Sequence, residues 1–225
     1  LRSGSLSISY TYTEPTVFFE YSQDVGLLAH DAGLKNVYVS NGYMSPAAVD
    51  LLANWLDAAN VDIKAFSDEV YRKYIGARLQ PVLDACVRLK QAGVWLEITT
   101  LLIPGLNDDE EQLRSLTKFI AHELGAETPW HVSRFFPEYK YQNADVTALA
   151  SIEKALEIGR AEGLKYTYAG NVAGSADTVC PECGTVLIRR TGMSVLSNSV
   201  SPEGLCPNCG TRIAGVGLGG QEDSV

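Results

Sequence analysis

The sequence predicts an α/β fold built on a parallel sheet, and two observations carry that prediction. Strand-like segments alternate with amphipathic helical segments from the N-terminus to Ala169. Such alternation implies parallel strands joined by right-handed helical crossovers, closed into a barrel or left open. Beyond it stand two copies of C-P-x-C-G, Cys180-Pro-Glu-Cys183-Gly and Cys206-Pro-Asn-Cys209-Gly, which mark a small separate module. The reading divides the chain into a sheet domain over 1–173, a cysteine module over 174–214 and a glycine-rich, then acidic tail over 215–225 that is expected to be disordered.

Leu6 to Tyr10 alternates as a strand does, and Glu14-Pro15 ends it. A helix follows, with Val17, Tyr21, Val25, Leu28 and Ala29 expected on its buried face. Asn36 to Ser40 is a second strand, closed by Asn41-Gly42. Ser45-Pro46 starts a helix, with proline at the first helical position and Val49, Leu52, Ala53 and Leu56 as its stripe. Val61 to Lys64 is a short third strand. Tyr71 to Ile75 reads as helical, and Pro81 opens a clearer helix with Val82, Ala85, Cys86 and Leu89 inward. Cys86 therefore reads as a small hydrophobe in a packed stripe. Trp95 to Leu102 is the fourth strand. Asn107 with Glu110 forms an approximate capping box for a helix whose stripe is Leu113, Leu116 and Ile120. Trp130 to Phe135 is the fifth strand, Pro137 to Asn143 a polar, tyrosine-bearing loop. Ile152, Ala155, Leu156 and Gly159 mark another helix, and Leu164 to Ala169 a sixth strand.

The chain has 225 residues and a net charge of −9, which argues against nucleic acid as its main partner. No apolar run reaches membrane-spanning length, so no membrane partner is expected. Five cysteines, four in paired turns and one alone, fit a reducing cytoplasm better than a disulfide framework. Each C-P-x-C-G turn aims two sulfurs at one spot, and its glycine lets backbone amides turn toward thiolate charge. Together Cys180, Cys183, Cys206 and Cys209 make a tetrahedral site that suits zinc, with iron the next choice. Four thiolates leave no open position, so that site is structural.

In parallel α/β sheets, ligands bind at the carboxyl ends of the strands. Those ends carry Glu14, Ser40 with Asn41, Lys64, Thr99, and His131 with Arg134. The mixture suits a zwitterionic ligand with a sugar: a carboxylate for an ammonium, a cation for a carboxylate, hydroxyl and amide groups for a ribose. No Gly-rich phosphate loop and no G-x-S-x-G elbow is present.

The strand-end segments, taken in order, resemble a family. Tyr10-Thr-Tyr-Thr-Glu-Pro-Thr16, Val39-Ser-Asn-Gly-Tyr43, Val61-Asp-Ile-Lys64-Ala-Phe66 and Thr99-Thr-Leu-Leu-Ile-Pro-Gly-Leu-Asn107 look like a radical SAM enzyme. Pro129 to Phe135, Ala169-Gly-Asn171 and the two C-P-x-C-G turns are similar to the radical SAM enzyme of the AmmeMemoRadiSam system, a relative of pyruvate formate-lyase activating enzymes. The resemblance implies a partial (β/α) barrel with a C-terminal zinc ribbon. It implies Glu14 as acceptor of the amino group of S-adenosylmethionine, Ser40 and Asn41 near its ribose, and Lys64 beside its carboxylate. His131 and Arg134 would face the adenosine and the substrate, and Thr99, on its strand end, is a further candidate for cofactor contact. It implies a [4Fe–4S] cluster on a C-x-x-x-C-x-x-C loop, cleavage of the cofactor to a 5′-deoxyadenosyl radical, and partners of the Memo and AMMECR types.

That loop is absent from this sequence, and so is the first βα unit of the family. The expectation is an N-terminally truncated enzyme, or one whose missing part lies on another chain, and in this state it does not perform the radical step. Its substrate is not legible. Rival readings are an activase for a glycyl-radical protein, a non-catalytic binding module, and a barrel enzyme using Lys64 as a Schiff-base amine.

Overall fold

A computed structural model describes residues 4–142, 144–174, 176–192 and 194–219. Six strands follow one another in the chain: β1 (Ser7–Tyr10), β2 (Lys35–Ser40), β3 (Ala58–Asp62), β4 (Trp95–Leu102), β5 (Trp130–Arg134) and β6 (Thr167–Gly170). They form one sheet in the order β1-β2-β3-β4-β5-β6, every neighbouring pair parallel. The helices between them are α1 (Phe19–Asp31), α2 (Pro46–Leu52), α3 (Asp68–Val70), α4 (Leu79–Gln91), α5 (Glu110–Phe119) and α6 (Leu149–Ala161). A strictly sequential order with crossovers of one hand stacks all helices on one face of the sheet.

Burial along the strands shows that asymmetry. The row Ser40–Val61–Ile98–Trp130 points into the helical layer, and all four side chains are buried. The next row, Asp62–Thr99–His131–Tyr168, faces the other way and is only part-buried. One face of the sheet is thus apolar and covered, the other polar and open.

The expected stripes hold for α2, α4, α5 and α6, and the expected start holds for α2; α4 begins at Leu79, two residues before Pro81. Ser45 caps α2 by accepting from the Ala48 amide at 3.2 Å. Val82, Ala85, Cys86 and Leu89 are buried, as are Leu113, Leu116 and Ile120. Two expectations need correction. The cap of α5 is Asp109, which accepts from the Gln112 amide at 2.9 Å; Asn107 is instead buried in the preceding loop. The buried face of α1 is Ser22, Gly26 and Ala29, whereas Val17, Tyr21 and Leu28 are exposed. Its neighbours decide this. The Ser22 hydroxyl pairs with Tyr38, and Trp55 packs so closely on Gly26 that only a residue without Cβ fits.

At Gly26 an added Cβ would lie 2.2 Å from the Trp55 ring, itself buried between Tyr10 and Tyr38. Gly26→Ala is therefore expected to destabilise the fold by about 1–3 kcal/mol, the usual cost of overpacking. Chemical denaturation measures it, and an unchanged midpoint would show that the indole moves freely.

The cysteine segment forms a second, antiparallel sheet of β7 (Thr178–Val179), β8 (Val186–Thr191) and β9 (Ser194–Asn198). Its own small core contains Cys180, Leu187, Ile188, Val200, Cys206 and Ile213, and Tyr166 beside β6 joins it. Of the stretch 215–225 expected to be disordered, Leu218 packs on that core, and its carbonyl accepts from Asn198 at 2.7 Å. Residues 220–225, the rest of that expectation, lie outside the described residues.

Candidate functional site

Three of the expected residues meet at the carboxyl ends of β1 and β2. Glu14 follows β1 and caps the turn Pro15–Phe18. Its Oε1 accepts from the Thr16 amide at 3.2 Å, the Thr16 hydroxyl at 2.9 Å and the Ser40 hydroxyl at 2.7 Å. Its Oε2 accepts from the Asn41 amide alone, at 2.8 Å. A carboxylate has about four lone-pair directions, two on each oxygen. Oε2 therefore keeps room for one further N–H donor, which suits an incoming ammonium. The Asn41 side chain is held by the Tyr43 amide at 2.8 Å.

Lys64 lies two residues beyond β3 rather than within it. Its ammonium donates to Asp62 at 2.8 Å, its amide donates to the Tyr71 hydroxyl, and its carbonyl accepts from Asn107. Asn41, Lys64, Tyr71 and Ile75 line a cavity of about 200 Å³. The second and third strand ends thus share one hollow. Burial pushes the Tyr71 hydroxyl up to about 12, so it enters this network as a neutral phenol.

Thr99 and His131 lie on the open face, where Thr99 is the direct register partner of Asp62 on one side and of His131 on the other. Both are held by partners that the sequence reading passed over. The Thr99 hydroxyl donates to Asn60 at 2.8 Å, and His131 Nε2 pairs with Glu97 at 2.7 Å. The indole of Trp95 donates to the other Glu97 oxygen at 3.0 Å. The imidazole stacks on Tyr168, centroids 5.1 Å apart. Glu97, His131, Tyr168 and Arg190 line a cavity of about 300 Å³ between the sheet and the cysteine module.

Arg134 stands apart. It is three residues beyond His131, so strand alternation turns it to the opposite face. Its Nε donates to the Thr147 carbonyl at 2.7 Å and its guanidinium covers the Phe136 ring. Expecting Arg134 and His131 to face one ligand ignored that parity. Glu97, two residues before Thr99, was legible by the same rule.

Burial pushes the Glu97 carboxyl up, but the hydrogen bond and charge of His131 more than offset it, and the net shift is downward. A carboxyl lowered on folding contributes stability above its ordinary range and loses it as pH falls through the lowered value. Glu97→Gln is expected to flatten the acid limb of the stability curve as pH falls through and below the ordinary carboxylate range. Denaturant midpoints across that window measure it, and parallel limbs for both proteins would remove the role.

The four cysteines converge. Their sulfurs all lie within 4.8 Å of one another, with Cys180–Cys209 at 3.6 Å and Cys183–Cys206 at 3.7 Å. The two turns are built alike. Gly184 donates to the Cys180 carbonyl and Gly210 to that of Cys206, each at 2.9 Å and each glycine at positive φ, as the motif requires. The Asn208 side chain, then Thr185, hold the Cys183 thiol down to about 5, whereas burial pushes Cys180 up to about 11. Such a group could bind a metal ion. Cys86 is fully buried among the helices and its thiol is pushed up to about 12 by burial, so it is inert.

A sequential parallel sheet with a polar open face and charged strand ends defines an α/β scaffold of the kind that binds ligands at its strand ends. The model of the radical SAM superfamily matches residues 2–117, half of the sequence. The chain belongs to the radical SAM superfamily. An uncharacterised protein of Methanocaldococcus jannaschii is 40% identical over 217 residues, which cover 95% of this chain and 64% of that one. The chain thus spans less than two thirds of that relative's length. A domain of a pyruvate-formate lyase-activating enzyme from Bacteroides vulgatus superposes with a TM-score of 0.63, at 17% identity, over 75% of this chain and all of that one. A radical SAM methyltransferase from Sphaerobacter thermophilus gives 0.59 at 16% identity, over 73% of this chain and 50% of the other. At those identities the likeness is one of fold. Among the described residues no helix is long and apolar enough to cross a membrane.

Proposed function

We propose that this chain is the S-adenosylmethionine-binding core of a cytoplasmic radical SAM enzyme, an incomplete (β/α) barrel followed by a zinc ribbon. The observation that carries the reading is Glu14, held by Ser40 and Asn41 at the strand ends with one lone pair of Oε2 unclaimed. There the carboxylate would accept the ammonium of the cofactor. Ser40 and Asn41 would meet its ribose, and Lys64, poised on Asp62, would turn to its carboxylate. Thr99 and His131 on the open face would line the adenosine side. Arg134 is left out of that contact in the present geometry and would act only at the substrate mouth.

The residues present fit S-adenosylmethionine but not an iron–sulfur cluster. Outside the four-cysteine group the sequence holds one thiol, Cys86, and it is buried. The cluster would be held by a C-x-x-x-C-x-x-C segment outside this chain, and it would supply the electron that cleaves the sulfonium. The cysteine group fits zinc. A tetrahedron of zinc–sulfur bonds of about 2.3 Å has an edge of about 3.8 Å, near the 3.6 and 3.7 Å seen. Membership of the AmmeMemoRadiSam system, with Memo-type and AMMECR-type partners, is part of the same proposal. An activase for a glycyl-radical protein is the alternative use of the site.

The test is cofactor affinity. Glu14→Ala should weaken S-adenosylmethionine binding by on the order of 10- to 100-fold, the loss of one charge-assisted hydrogen bond. Calorimetry on the folded variant reads it, and equal affinity would remove Glu14 from the site.

A further inference from the structure

Next to the hollow lined by Asn41, Lys64, Tyr71 and Ile75 stands an aromatic rim outside the contacts proposed for the cofactor. The helical turn Tyr71–Ile75 follows β3, and the loop from Phe135 to Tyr141 follows β5. They meet where the Tyr74 and Tyr141 rings lie edge to face, 6.4 Å apart, and Tyr141 packs in turn on Phe135 at 5.9 Å. Around that contact large rings face solvent: Tyr74 is 50% exposed, Phe136 48% and Tyr139 79%. Clusters of this kind mark surfaces that something else covers.

Three cations accompany the rings. Lys73 lies over Tyr74 and Arg134 over Phe136, both at 5.1 Å, and Lys140 over Tyr139 at 5.2 Å. A ring face attracts a cation without cancelling its charge. Among the described residues none of the three forms an ion pair with a carboxylate. Carboxylates are in surplus here, 27 against 18 basic residues, and Lys35, Arg88 and Lys165 all have one. The rim therefore keeps positive charge beside apolar rings on a negative protein.

Charge complementarity selects an acidic occupant, and aromatic rings with basic side chains are the composition of interface centres. A single-stranded nucleic acid would also stack and pair there. Its unbroken line of phosphates cannot step around the acidic groups of a chain at −9, where Glu69 and Glu138 stand four and two positions from Lys73 and Lys140 in sequence. A polypeptide can space its carboxylates onto the cations and lay apolar side chains on the rings between.

We propose that this rim docks an acidic segment of a partner protein, its carboxylates on Lys73, Lys140 and Arg134, its apolar side chains on Tyr74 and Phe136. The docking needs neither cofactor nor cluster, so it stands or falls apart from the reading above. The probe is a short fluorescein-labelled peptide repeating Glu-Glu-Phe, read by anisotropy on the folded chain. Binding should weaken at least about tenfold, or about 1.4 kcal/mol, in Lys73→Glu/Lys140→Glu and again in Phe136→Ser. Lys35→Glu/Lys165→Glu alters net charge equally at the far ends of the strands and should leave binding within about twofold. A peptide with Ser for Glu should not bind. No binding of the acidic peptide, or equal weakening by both double variants, overturns the proposal. So does tighter binding of oligothymidylate through the same lysines, which would make the rim a nucleic-acid site.

Discussion

Incubated anaerobically with iron, sulfide, S-adenosylmethionine and dithionite, this chain is expected to yield no 5′-deoxyadenosine. The reason is ligand count. Reductive cleavage needs three thiolates beside the methionine end of the cofactor, and the strand ends around Glu14 carry none. Cys86, the one thiol of the sheet domain, lies on the buried face of α4 and is held protonated by burial. The four remaining cysteines face one another in the module beyond β6, each turn satisfied by its own backbone. Supplying a C-x-x-x-C-x-x-C segment ahead of β1 should restore cleavage from background to a rate set by the enzyme, several orders of magnitude. Product formation by the unsupplemented chain would refute the ligand count. Failure of the supplemented protein, with cofactor binding intact, would refute the assignment of the chemistry.

The second large effect is expected at the cysteine module. Among the described residues seven buried ones form its core, and two of them, Cys180 and Cys206, are would-be metal ligands. So small a core cannot offset the entropy of ordering its loops without a metal. In small zinc modules the ion contributes about 10–16 kcal/mol, so losing it unfolds them. Cys206→Ala should therefore abolish metal binding and expose residues 178–214 to protease, while the parallel sheet survives. The native protein, purified without added metal, should carry about one zinc per chain. A variant that stays protease-resistant would show that packing on Tyr166 suffices.

Much of this fold was legible because it obeys simple periods. Trp95 to Leu102 alternates, and its even-numbered residues are the buried ones. Ser45-Pro46 announces a helix, and Ser45 caps it. The α1 face was misread because hydrophobicity stood in for fit. Trp55 and Tyr38 demand small neighbours, so Gly26 and Ser22 go inward, and Val17, Tyr21 and Leu28 are left outside. At the site, position near a strand end was read without parity. Parity separates Arg134 from His131 and adds Glu97 and Asn60 to the open face. The links to Tyr168, Arg190 and Asn107 are tertiary. No local pattern says that Asn107 will bridge the Lys64 and Leu101 carbonyls.

The sequential strand order also bears on how the chain is made. Every strand of the sheet pairs with the strand next before or after it in the chain, across one helical crossover that holds one or more helical segments. Contacts therefore close over short loops, and the entropy lost at each closure is small. The sheet can be extended one βα unit at a time in the order of synthesis, with each new strand meeting an edge already formed. The same growth rule leaves β1 and β6 as the two ends of a chain of pairings, each with one flank unpaired within this sheet. Any unit added by evolution or by engineering would extend the series at one of those flanks without breaking an existing ladder.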